Sequence, residues 1–345
     1  MRVAKPLLAP ALGLALSLLT LEGVSRSYFN YRSIRDPVLG SVVAAGHTFR
    51  SRIEGSGVGY HEDHGVRRAP DLGPRSGARI LCVGDSYTEA HQVSDDEVYT
   101  TLVERSLDRS GMPAAVLNIG RSGLSVADYV VNSQAFKEAT SPTWTVVQIH
   151  DLDFYSDTWQ TSKTHFRRRC SACPIEAVRI APVPDDTVRR TMRWLRNQSA
   201  LVGFGMHRWQ ELAGVSRRNS QPSGAEEHAT ATLASTVDFP VTEELRMLAR
   251  AYDGRLTLLL LGRFDPAHPG RDTDEEAVIT RAARELGISL ACSKDEYPAL
   301  AQKGIAPHGF PNTSLNSGHM NAAGHAAAAR VLTRELLRLH AEGRI

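Results

Sequence analysis

The chain has 345 residues, 42% of them hydrophobic, and a formal net charge of +2. That is enough apolar material for a full core, and one domain of roughly 250 residues with appendages fits better than two equal domains. The near-zero balance gives no reason to expect a nucleic-acid partner, although residues 163–218 carry eleven Arg and one Lys against four acids. Such a basic stretch reads first as a solvated face and second as a surface for anionic lipid headgroups or an acidic polymer.

In chain order, Arg2 and Lys5 precede an uncharged apolar run from Pro6 to Leu21. This run is short of the ~20 residues of a relaxed membrane span. It suits a signal-peptide core or a short anchor. Residues 1–25 are therefore expected to be an uncleaved signal anchor or a signal peptide. The basic tip would be cytoplasmic, and the body periplasmic or extracellular at the cell membrane. Residues 26–76 read as an extended arm, rich in Gly, Arg and His with weak periodicity.

The main domain spans 77–341. Apolar β-like runs occur at Ile80–Val83, Ala115–Ile119, Trp144–Ile149, Leu256–Leu261 and Ile288–Ala291. Helical patterns lie between them at about 97–110, 125–139, 241–252 and 273–286, with a terminal one at 321–341. Gly254 and Gly287 fall where C-terminal caps should. This alternation predicts a three-layer α/β/α sandwich around a five-stranded parallel sheet. Residues 154–240 are too long for a plain crossover and are expected to be an insertion. Within it a helix capped by Asp185 or Asp186 would carry Val188, Met192 and Leu195 on one face. Trp194, Met206 and Trp209 are expected in its core, and 219–230 as a mobile loop.

Cys170 and Cys173 form a C-x-x-C expected to close a local disulfide, since a zinc site would need more ligands than the nearby His165. With sheet order 2-1-3-4-5, the strands of Cys82 and Cys292 would lie ~14 Å apart. A disulfide needs Cα atoms within ~7 Å. Both are therefore expected to be buried free thiols.

Residues 79–91 carry the chemistry. The first apolar run ends at Gly84, and Ser86 follows at the turn into a helix. There first-turn amides and the helix dipole favour developing negative charge. A nucleophile fits that place; so does a plain helix cap. Asp85 is expected to fix the turn through backbone N–H groups. Glu89 falls in the first helical turn, where an acid is favourable. His319, in a Gly/Asn/Ser-rich stretch before the last helix, reads alone as a solvated surface residue, although histidine titrates near neutrality and is the usual base for a serine. His91 and His150 are further candidates for lining a site, and His325 for a structural role. No phosphate-binding loop or dinucleotide fingerprint occurs, and serine acyl transfer requires neither cofactor nor metal.

Three blocks, Gly84-Asp85-Ser86-Tyr87-Thr88-Glu89, Asn118-Ile119-Gly120-Arg121-Ser122-Gly123, and Gly318-His319 with Asn321 and Gly324-His325, resemble the SGNH/GDSL hydrolase superfamily over roughly residues 62–340. The resemblance implies a flavodoxin-like sheet, Ser86 as nucleophile, His319 as general base, and the amides of Ser86 and Gly120 as oxyanion donors. Two positions depart from the pattern. Leu152 stands where the family carries an oxyanion-binding asparagine, and Asn316 where it carries the aspartate three residues before the histidine. The expectation is thus a Ser–His dyad oriented by Asn316, a backbone carbonyl, or Asp153, with Asp85, His150, Asp151 and Asp153 at the strand-end rim. Functionally, the resemblance implies an exported esterase or deacetylase acting on acylated carbohydrate, small esters or lipids. The alternatives are an O-acyltransferase using the same site and a non-catalytic, membrane-tethered binding or assembly module. The oligomeric state is left open.

Overall fold

The structure is a computed structural model that describes residues 5–36, 39–73, 77–154, 164–168, 175–179, 187–206, 208–209 and 241–345. At its centre is a parallel sheet of five strands: β1 (Ala78–Val83), β2 (Ala114–Asn118), β3 (Trp144–Ile149), β4 (Leu256–Leu260) and β5 (Ser289–Cys292). Their spatial order is β2-β1-β3-β4-β5, the expected 2-1-3-4-5. Every residue of β2, β3 and β4 is buried, as a sheet covered on both faces requires.

The two faces have separate cores. On one, Leu81, Val83, Val147, Leu258 and Leu260 meet helices Val126–Val131, Ser133–Thr140, Val241–Ala251 and Asp274–Glu285. On the other, Ile80, Cys82, Val116 and Val146 meet helices Tyr99–Arg109 and Ala322–Ala341. Full burial of each such aliphatic side chain contributes about 1.5–3 kcal/mol. Helix starts follow local chemistry. Thr273 and Glu276 form a capping box, and the Asn321 side chain accepts the amides of Ala323 and Gly324. Cys82 and Cys292 are free and lie on strands three spacings apart. The C-x-x-C at 170–173 and the stretch 219–230 fall outside the described residues.

The segment 26–76 carries regular structure. Phe29–Asn30, Thr48–Ser51 and Gly57–Tyr60 form an antiparallel sheet, and Ser33–Asp36 pairs with Gly40–Val43. The Arg67 amide donates to the Asn118 carbonyl at the end of β2. Its buried guanidinium reaches the carbonyls of Glu89, Ala90 and Val93 and the Asp95 carboxylate. Arg67 thus ties the arm to the segment that follows Ser86.

An N-terminal helix, α1, spans Lys5–Tyr28 and so runs past the apolar stretch. Among the described residues, no helix is long and apolar enough to cross a membrane. Within the insertion, Thr164–Arg168 pairs with Ile175–Arg179, and a helix spans Thr187–Gln198. Trp194 and Trp209 were expected in a core there. They are instead 59% and 70% exposed, and Val188 and Met192 are exposed as well.

Candidate active site

Ser86 opens the helical turn α2 (Ser86–Glu89) directly after β1. Asp85 caps it, accepting the Tyr87 amide at 2.9 Å, and the Asp85 amide donates to Gln148 Oε1. The turn is therefore held from both sides, and Ser86 projects from the carboxyl edge of the sheet. His319 lies on a strand, Leu315–Met320, paired with His308–Gly309, rather than in an open loop. Its Nε2 is 2.9 Å from Ser86 Oγ. The structure thus joins two residues 233 positions apart.

The other imidazole nitrogen meets a residue that sequence reasoning missed. His319 Nδ1 is 2.5 Å from Glu54 Oε2, and the His319 backbone N–H donates to Glu54 Oε1 at 3.0 Å. Burial works to raise the Glu54 carboxyl pKa, but the hydrogen bonds and charge of His319 outweigh it and hold the group below its ordinary range. Glu54 comes from the arm. Its loop is fastened to the His319 hairpin by Asn312, whose Oδ1 accepts the Gly55 amide and whose Nδ2 donates to the carbonyls of Arg52 and Gly55. Gly318 is required by this approach: a Cβ there would lie 2.6 Å from Glu54 Oε1.

Asn316 does not orient His319. It sits exposed with φ of 65° at the irregular end of the hairpin, and Glu54 holds Nδ1. Gly120 is a second correction. Its amide donates to Asn118 Oδ1 at 2.9 Å, so it is not available to an oxyanion. A Cβ at 120 would lie 2.3 Å from the Glu89 amide, which makes Gly120 a packing glycine beneath α2. Gly123, three residues on, lines the same cavity as Ser86. Among the described residues, no acceptor meets the amides of Ser86 and Gly123. The two glycines share one short motif, and only the loop's path separates a packing role from a lining one. The side chain of Leu152 is outside the described residues.

The cavity has a volume of about 330 Å³ and is lined by Ser86, His319, Gly123, Leu124, Leu261 and His308, among others. Asp85, His150, Asp151 and Asp153 also line it. His150 Nε2 is 3.1 Å from Asp85 Oδ2 and 3.5 Å from Asp153 Oδ1, while Nδ1 is 3.7 Å from Asp151 Oδ1. Burial disfavours charge on His150, but Asp153, Asp151 and Asp85 outweigh it and hold its pKa well above the usual value. Burial pushes the Asp153 carboxyl up to about 7. Both shifts favour holding a proton within the cluster. Asp153 does not reach His319; its Oδ2 instead accepts the His150 amide at 2.8 Å.

Asp85, His150 and Asp153 could present one ligand atom each to a cation, within 4.8 Å of one another. The imidazolium already neutralises part of that charge, and each aspartate has a second hydrogen-bond duty. The Tyr87 ring packs between the two centres, 5.6 Å from His150 and 5.2 Å from His319. His91 does not line the cavity and packs on Phe49 and Tyr31. His325 is fully buried, its Nδ1 accepting the Tyr99 amide. Burial lowers its pKa to about 3.

No family model matches the chain, and no curated protein matches it. Among solved structures, it is similar to an acetylxylan esterase, Axe2, from Geobacillus stearothermophilus, at 16% identity and a TM-score of 0.41, covering 77% of this chain and 96% of that one. It is also similar to TesA, at 13% identity and a TM-score of 0.40, covering 76% and 99%. Likeness of this degree leaves activity to be argued from the site itself.

Proposed function

We propose that the chain is a serine esterase whose charge-relay residue is contributed by its N-terminal arm. The supporting observation is the hydrogen-bonded series Ser86 Oγ, His319 Nε2, His319 Nδ1, Glu54 Oε2, with separations of 2.9 and 2.5 Å. Glu54 accepts the Nδ1 proton, which fixes the tautomer and leaves Nε2 free to take the proton of Ser86. Oγ then attacks an ester carbonyl carbon. The amides of Ser86 and Gly123, both on the cavity wall, would receive the oxyanion. Nε2 returns the proton to the departing alcohol, and water releases the acyl group by the same steps in reverse order of partners.

The small cavity suits a short acyl group, with the alcohol at the open rim. The polar rim of Asp151 and Arg263, joined at 2.7 Å, suits a hydroxyl-rich alcohol, so an acylated carbohydrate is the proposed substrate class. Reaction of Ser86 with a fluorophosphonate probe, followed by a panel of acetyl and longer-chain esters, tests this reading. The expected results are labelling and acetyl-ester hydrolysis by the wild type, both lost in Ser86→Ala. A wild-type protein inert to the probe would remove the catalytic reading and leave a binding module.

A further inference from the structure

On α1, Leu12, Leu14, Leu16, Leu18, Leu19 and Val24 are each between 48% and 70% exposed. At about 100° per residue these side chains point to all sides of the helix. A protein groove covers one side of a helix; an apolar fluid covers all of it. The far end of α1 is fastened to the insertion. Glu22 accepts Ser199 Oγ and the amides of Ala200 and Leu201 at 2.7–3.0 Å, Arg26 donates to the Gln198 carbonyl, and Tyr28 meets Phe204 edge-on at 5.5 Å. The same insertion segment exposes Trp194 and Trp209, together with Arg190 and Arg208.

We infer that the helical part of the insertion, residues 187–209, seats in the headgroup layer of an anionic bilayer around the base of α1, whose leucines enter the lipid. Exposed tryptophan suits the boundary between acyl chains and water, and arginine suits anionic headgroups. The sequence of 187–209 carries five Arg and no Asp or Glu, the matching charge. Fixing α1 to the insertion through Glu22 places both at one level. The inference is independent of ester hydrolysis.

The test uses the full chain with vesicles of phosphatidylcholine, with and without phosphatidylglycerol, and acyl chains brominated to quench tryptophan. The wild type should float with the vesicles and be quenched. Trp194→Phe/Trp209→Phe should still float but lose most of the quenching. Arg190→Gln/Arg208→Gln should weaken binding to phosphatidylglycerol vesicles by about fivefold per arginine and leave phosphatidylcholine binding unchanged. Quenching that persists in the tryptophan double variant would overturn the seating, since the remaining tryptophans, Trp144 and Trp159, lie outside residues 187–209. A protein that fails to float and elutes as a dimer would overturn it in favour of a second copy covering α1.

Discussion

The turn at Ser86 and the arm loop at Glu54 hold the two ends of one hydrogen-bonded series, yet they are built on different principles. Ser86 is placed by a rigid element: a buried strand, a capped helical turn, and Asp85 locked by Gln148 and Tyr87. Glu54 is placed by a loop, and its position depends on Asn312, on the glycine at 318 and on the hairpin carrying His319. A nucleophile on a sheet edge is set by the core, whereas a carboxylate delivered by an arm is set by contacts made after the core exists. The difference teaches that an acceptor for a histidine need not come from its own neighbourhood in the chain, because it can arrive from any segment that reaches Nδ1.

The largest expected effect lies on the rigid side. Ser86→Ala or His319→Ala should lower kcat on acetyl esters by on the order of 10⁶, since the residues act as a unit. A residual rate within tenfold of wild type in Ser86→Ala, measured in steady-state assays, would break the comparison at its root. Arg67→Met addresses the arm's attachment. It leaves Asp95 and three carbonyls without their buried partner, so urea unfolding should show a loss of about 3–5 kcal/mol. A loss under about 1 kcal/mol would mean that the arm is not tied to the domain there.

Acid should act next. Burial lowers His308 to about 4, and His325 lower still, so the unfolded chain binds more protons than the folded one below the ordinary histidine value. Stability should therefore fall as pH drops from about 6.5 towards 4, by up to about 3 kcal/mol for His308 alone. His150 has the opposite sign: its stabilisation is full at low pH and is lost as pH rises through its elevated pKa. Chemical denaturation at several pH values should show the acid loss, and His308→Asn should flatten it. The smallest effect belongs to the loop. Asn312→Ala should reduce kcat roughly tenfold with a stability change of about 1–2 kcal/mol, by loosening Glu54 rather than removing it. An equal loss of kcat in Asn312→Ala and in a variant lacking the Glu54 carboxylate would erase the distinction between holding and being the acceptor.

Much of this was legible in the sequence. Five apolar runs separated by helical patterns specify a parallel sheet because both of its faces must be buried, and the observed strand order follows. Ser86 was legible because strand, glycine and helix start are adjacent in the chain. His319 was legible only by resemblance, since no local spacing ties it to Ser86. Glu54 was not legible: it stands in Arg52-Ile53-Glu54-Gly55, a polar loop whose partner is 265 residues away. Gly120 is an oxyanion donor only by resemblance, and the sequence gives no sign that its amide is already bonded to Asn118. The outward turn of Trp194 and Trp209 was equally hidden, since an apolar stripe looks the same whether core or lipid covers it.

The most direct test compares Glu54→Gln with Asn316→Ala in the reactivity of Ser86, read as the rate at which a fluorophosphonate phosphonylates it and as kcat on an acetyl ester. Glu54→Gln should lose on the order of 10⁴ in kcat, because a glutamine amide can stabilise the wrong tautomer and offers no charge to the imidazolium. Asn316→Ala should stay within about twofold of wild type, as surface substitutions away from special features do. The reverse pattern, an unimpaired Glu54→Gln beside a crippled Asn316→Ala, would contradict the arm-supplied acceptor.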